Sequence, residues 1–180
     1  MTFSPDQSVL VIIDVQGNLA LAVEEHTSMI RHIQSLIQIA QYLGVPIIYS
    51  EQVPDKIGET IKDVARFLDN AKPVIKKTFS CCGAEEFNQK LAALKRPQVI
   101  ICGIEAHVCV YQTVMDLIKN DYFVQVVVDA VSSRNGLNKK IAFKRIEQSG
   151  AFLTTTEMIA TELLKTSAHP QFKDILRLIK

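Results

Sequence analysis

Short apolar runs recur along the chain and alternate with longer amphipathic stretches. Val9-Leu10-Val11-Ile12-Ile13 is the first, and Asp14 closes it. Pro46-Ile47-Ile48-Tyr49, Val74-Ile75, Val99-Ile100-Ile101-Cys102, Val124-Gln125-Val126-Val127-Val128 and Phe152-Leu153-Thr154-Thr155 follow. Runs this short and this rich in β-branched residues fit strands covered on both faces, as in a parallel sheet. The segments between them carry helical spacing. Ile30, Ile33, Leu36, Ile37 and Ala40 form one stripe, which Gly44-Val45-Pro46 stops. Phe87, Leu91 and Leu94 form another before Pro97. Val114, Leu117 and Ile118 follow Cys109, Ile141, Phe143 and Ile146 precede Ser149-Gly150, and Ile175, Leu176 and Ile179 mark a last helix after Pro170. Strand–helix alternation of this kind predicts an α/β fold with right-handed crossovers and helices on both faces of the sheet.

The length of 180 residues fits one domain spanning 1–180. Hydrophobic residues at 48% and charged residues at 22% are ordinary for a globular chain. Lys and Arg total 20 against 19 Asp and Glu, a net charge of +1. That balance argues against a broad basic surface for nucleic acid. No apolar run approaches the ~18 residues a membrane span needs. The sequence from Thr2 to Asp6 has no basic segment followed by an apolar one, so a cytoplasmic protein without a membrane partner is expected. The seven glycines are all isolated, without GxGxxG or GxxxxGK[ST], so the usual nucleotide cradles are missing. Cys81, Cys82, Cys102 and Cys109 form no ligand-spaced set, so no metal site, no cofactor and no disulfide framework is expected.

Ligands of open α/β sheets bind beyond the carboxyl ends of the strands. Three reactive groups fall there. Asp14 ends the first run, where a carboxylate bordering apolar interior can serve as a general base or as a cap. Lys76 and Lys77 end the third. Strand side chains alternate, so at most one of them points into a shared site. Cys109 follows the fourth run and the Gly103 turn, close to where an amphipathic helix must begin. Free N–H groups and a partial positive charge at a helix start would lower a thiol's pKa and hold an oxyanion. An acid, an amine and a thiol at one sheet end suit nucleophilic acyl transfer. Gln16, Gln52 and Phe79 adjoin these positions and are candidate substrate contacts. His107, two residues before Cys109, reads as structural, because neighbouring helix-start positions need not face each other. Met29, Met115 and Met158 read as core.

These stretches together resemble the isochorismatase-like cysteine hydrolases over nearly the whole chain. Val9 to Gln16 and Lys76-Lys77-Thr78-Phe79-Ser80 match. The most specific stretch is Gly103-Ile104-Glu105-Ala106-His107-Val108-Cys109-Val110 with Gln112-Thr113. Asp129 to Arg134 and Gly150 to Glu157 match as well, and Ser50 to Pro54 resembles the isochorismatase domain-containing subgroup. The resemblance implies a three-layer α/β/α fold on a six-stranded parallel sheet. It implies a catalytic set of Asp14, Lys76 and Cys109, with Lys76 chosen over Lys77. It implies a cis peptide near Ile104–Glu105, an oxyanion hole from the backbone N–H groups of Glu105 and Cys109, and a homo-oligomer. Three departures narrow it. True isochorismatases lack the nucleophilic Cys. Metal-dependent nicotinamidases carry Asp-x-His where Ser50-Glu51-Gln52 stands here. Many members have Ala-Phe where this chain has Cys81-Cys82, which changes an expected pocket wall. The expected function is therefore a metal-independent cysteine hydrolase acting on an amide or related C–N bond of a small molecule through a thioester. The rival expectation is a catalytically weak interaction or redox-sensing protein on the same fold.

Overall fold

The computed structural model describes residues 2–68 and 71–180. Its strands are β1 (Ser8–Ile13), β2 (Ile47–Gln52), β3 (Val74–Lys76), β4 (Gln98–Ile104), β5 (Phe123–Ser132) and β6 (Phe152–Thr154). They form one parallel sheet in the order β3-β2-β1-β4-β5-β6. All six residues of β1 are buried, as a strand covered on both faces requires.

The helices are α1 (Leu19–Ala22), α2 (His26–Tyr42), α3 (Pro54–Ile57), α4 (Lys62–Ala65), α5 (Glu85–Leu94), α6 (Tyr111–Lys119), α7 (Gly136–Gln148), α8 (Thr156–Leu164) and α9 (Phe172–Leu178). Helix α2 packs on β1 and β5 and also meets α4, α8 and α9. Helix α5 packs on β2, α6 on β5, and α7 on β5 and β6. Chain direction across the sheet reverses between these groups, so right-handed crossovers put them on opposite faces. The architecture is a three-layer α/β/α sandwich. In α2 the stripe of Met29, Ile33, Leu36, Ile37 and Ala40 is buried, and this anchors the helix by apolar burial rather than by intrinsic propensity. None of the described helices is long and apolar enough to cross a membrane.

Two features place the site. First, β1 and β4 are neighbours whose onward connections leave in opposite directions, toward β2 and toward β5. That is the switch point at which open α/β sheets bind ligands. Second, Gly103 lets the two strands meet there. Its φ is +115°, and a Cβ on it would lie 2.1 Å from the Ile13 carbonyl oxygen. Only glycine fits.

The elements depart from the sequence pattern at their carboxyl ends. Strand β4 runs two residues past Cys102. Strand β5 continues to Ser132 through an irregularity, with Ile101 opposite Val126 but Gly103 opposite Val131. The apolar run breaks at Asp129, so a pattern reading stops the strand early. Met158, expected in the core, is 57% exposed.

Candidate active site

Asp14 leaves β1 with a left-handed backbone (φ +50°), a conformation Asp tolerates better than most residues. It is only 3% exposed. Its carboxylate has two partners. Ser50 Oγ donates to Oδ1 at 2.7 Å and Lys76 Nζ donates to Oδ2 at 2.6 Å. The lysine side chain has no exposed surface. Nζ also donates to Gln52 Oε1 at 2.7 Å, to the Phe79 carbonyl at 3.1 Å and to the Thr78 carbonyl at 3.2 Å. Three ammonium protons thus face four acceptors. The alternation of β3 buries Lys76 and leaves Lys77 exposed.

Strand β2 supplies Ser50 and Gln52 from one face, two residues apart, while Glu51 points the other way. Glu51 Oε1 accepts from the backbone N–H and the hydroxyl of Thr60, at 2.8 and 2.7 Å. Gln52 Oε1 accepts from Cys109 Sγ at 3.6 Å as well as from Lys76. Gln16 holds the end of β2, accepting from Gln52 N at 2.7 Å and donating to the Gln52 and Gly58 carbonyls. Among the described residues no three His, Cys, Asp or Glu side chains converge as a metal site would need.

The Ile104–Glu105 peptide is cis. Cys109 lies in one turn of π-helix, Ala106–Val110, that runs into α6. The Glu105 carbonyl accepts from Val108 N and Val110 N, and these two bonds flank the Cys109 N–H. Glu105 itself is tied down by Arg134, whose N, Nε and Nη2 donate to its carboxylate at 3.0, 3.0 and 3.1 Å. Burial pushes the Glu105 carboxyl up, but the Arg134 hydrogen bonds and charge outweigh it and hold the group below its ordinary range.

Cys109 is 8% exposed and lines the same cavity as Asp14, whose charge acts on its thiol. Its pKa goes up, opposite to the sequence expectation. Burial is the main cause, and the Asp14 charge adds to it against the opposing charge of Lys76. The expected helix-start effect loses to desolvation and a nearby anion.

Asp14, Gln16, Gln52, Phe79, Glu105 and Cys109 all line one cavity of about 120 Å³. Leu19, Ile57, Ile104 and Val108 complete its wall. Phe79 is 53% exposed and forms the rim. Cys81 and Cys82, expected in the wall, are not part of it. Cys81 is fully buried behind the site, with Sγ 3.5 Å from Ser50 Oγ, and burial pushes its pKa up to about 11. Cys102 is fully buried in β4. His107 turns to Ser133, with Nδ1 3.0 Å from its hydroxyl. The sequence reading missed Ser50, although its place two residues before Gln52 on a strand was a usable signal. Leu19 and Ile57 lie in four-residue helices, too short to show periodicity.

The isochorismatase domain matches residues 8–158. The chain is 39% identical over 181 residues to isochorismatase family protein 1A of Dictyostelium discoideum, covering 97% of this chain and 87% of that protein. It is 36% identical over 179 residues to human isochorismatase domain-containing protein 2, covering 98% and 84%. Among solved structures, a Caenorhabditis elegans protein described as MAR1 ribonuclease superposes with a TM-score of 0.93 at 38% identity, covering 99% of this chain and 92% of that one. The YcaC gene product of Escherichia coli, described as an octameric hydrolase of unknown specificity, shares the fold with a TM-score of 0.89 at 22% identity, covering 99% and 95%. The family model and these relatives place the protein in the class of isochorismatase-like hydrolases. The chain belongs to the isochorismatase family, and its relatives include isochorismatase domain-containing proteins.

Proposed function

We propose that the protein is a metal-independent cysteine hydrolase of small amides or related C–N compounds. One observation carries this reading. Asp14 is held by Lys76 and lines one cavity with Cys109, and Gln52 Oε1 joins the lysine to the thiol. The raised thiol pKa fits a nucleophile that keeps its proton until substrate arrives. Asp14 then takes that proton as Sγ attacks the carbonyl carbon. The Glu105 and Cys109 N–H groups hold the oxyanion. Collapse breaks the C–N bond, and Asp14 passes the proton to the leaving amine. Water attacks the thioester, Asp14 taking one of its protons, and the sulfur leaves and regains a proton as the acid product forms. Lys76 stays protonated and balances the carboxylate in each step.

Release of amine from a panel of small amides, ureides and nitriles tests the reading. Turnover should appear with at least one compound and vanish in Cys109→Ala. A Cys109→Ala protein with wild-type turnover overturns it. The ribonuclease description of the Caenorhabditis elegans relative makes RNA the second substrate to offer the same two proteins. RNA cleavage that depends on Cys109 would replace the amide reading. A homo-oligomer is part of the proposal, and a monomer mass by light scattering would count against it.

A further inference from the structure

The geometry points to an uncharged, compact substrate that is largely apolar beyond its reacting carbonyl. This rests on Cys109 as the nucleophile of a small-molecule site and narrows what that site accepts. Three observations converge.

The first is size. A cavity of about 120 Å³ is far below the ~300–1,000 Å³ of sites for drug-sized ligands. It is closer to the ~150 Å³ that accommodates a benzene ring. The group carried inside is therefore on the order of six heavy atoms.

The second is charge. Among the described lining residues none is a cation, whereas Asp14 and Glu105 are acidic. Lys76 lies behind the lining with four acceptors for three protons, so it has no donor left for a carboxylate or phosphate. Arg134 is engaged with Glu105 by three bonds and lies outside the lining. An anionic substituent would enter next to Asp14 unpaired, which is costly away from water.

The third is polarity. Gln52 spends its oxygen on Lys76 and Cys109 and one of its two N–H donors on the Lys77 carbonyl. Gln16 spends both ends on the β2 terminus and Gly58. What remains facing the substrate is mainly Leu19, Ile57, Phe79, Ile104 and Val108.

Two alkylating reagents of nearly equal shape, neutral iodoacetamide and anionic iodoacetate, test this on the intact protein. Their rates at Cys109 are read by peptide mass spectrometry at about pH 9 and divided by their rates on N-acetylcysteine. After that correction the neutral reagent should be favoured at least about tenfold, an effect of ~1.4 kcal/mol. A Leu19→Lys variant, which supplies a cation at the wall, should bring the corrected rates back toward equality. Equal corrected rates in the wild type, or a preference for iodoacetate, would overturn the proposal. Failure of both reagents to reach Cys109 would overturn its size part. In parallel, butyramide is compared with succinamate, the same chain ending in a carboxylate. Hydrolysis of neither counts against the amide reading, while the alkylation ratio still decides the charge preference.

Discussion

Lys76 Nζ and Asp14 Oδ2 lie 2.6 Å apart with almost no water contact, the lysine side chain fully covered and the carboxylate side chain 5% exposed. The two residues are far apart in sequence, at the ends of β3 and β1, and Ser50 and Gln52 on β2 lie between them. A buried pair of this kind adds little net stability over an apolar pair, yet removing one partner strands the other charge. The pair thus constrains the carboxylate that faces Cys109.

Replacing the lysine should expose that dependence. Lys76→Met should destabilise the fold by about 3–5 kcal/mol, because Asp14 is left buried without its cation. For a chain of this length that is a fall in Tm of roughly 6–20 °C. The Asp14→Asn, Lys76→Met double variant should recover part of the loss, since the stranded charge is gone. Thermal unfolding of the three proteins checks this. An unchanged Tm in Lys76→Met would mean the pair is solvated in the protein.

Asp14→Asn should separate thiol reactivity from turnover. The Asp14 charge helps to push the Cys109 thiol up, and Lys76 pulls it down. Removing the carboxylate leaves the lysine unopposed, so the thiol pKa falls and more thiolate forms. Alkylation of Cys109 by iodoacetamide at about pH 8 should therefore be faster in Asp14→Asn than in the wild type. Hydrolysis should be lost, because no base remains to accept and return the proton. Slower alkylation in the variant would mean that Asp14 promotes the thiolate in the free protein.

The sequence made the sheet legible because Val9–Ile13 and Val99–Cys102 lie buried in a parallel sheet and carry the unbroken apolar signature that this requires. It lost the ends of β4 and β5, where Gly103 and Asp129 interrupt the apolar run while the backbone ladder continues. It also lost α3 and α4, since four residues hold barely one turn and no stripe. Asp14, Lys76 and Cys109 could be proposed as a group because each closes a strand or follows one. Strand alternation predicted that only one of Lys76 and Lys77 would face inward, and the structure buries Lys76. The thiol's electrostatics were not legible. They depend on desolvation and on the distance to Asp14, neither of which a helix-start position reveals.

Gly103→Ala tests how close β1 and β4 must be at the switch point. The added Cβ would meet three backbone atoms of Ile13 at 2.1–2.8 Å, and alanine rarely adopts φ near +115°. Backbone cannot yield as a side-chain tip can. The variant should lose about 1–3 kcal/mol or more. Where it still folds, its turnover should drop further than its stability, because Asp14 and Glu105 follow directly from the two strands. Chemical denaturation and amine-release assays on the same preparation check both. A denaturation midpoint and turnover equal to wild type would show that the strands can separate without consequence.

Glu105→Gln tests the clamp on the oxyanion segment through its pH dependence. In the folded protein the Glu105 carboxyl sits below its ordinary value near 4.5, because the Arg134 bonds outweigh the effect of burial. A group whose pKa falls on folding contributes stability above its unfolded value. That contribution disappears as pH falls through the folded value. The gap in Tm between wild type and Glu105→Gln should therefore be constant from about pH 7 down to about pH 5 and shrink at lower pH. Arg134 is largely exposed, so the gap should be small and narrower in high salt. Turnover at neutral pH should fall as well, in kcat more than in KM, if the clamp positions the Glu105 N–H for the transition state rather than for substrate binding. A Tm gap that widens on acidification would show that Glu105 is protonated in the folded protein, and a change confined to KM would place the side chain in substrate binding instead.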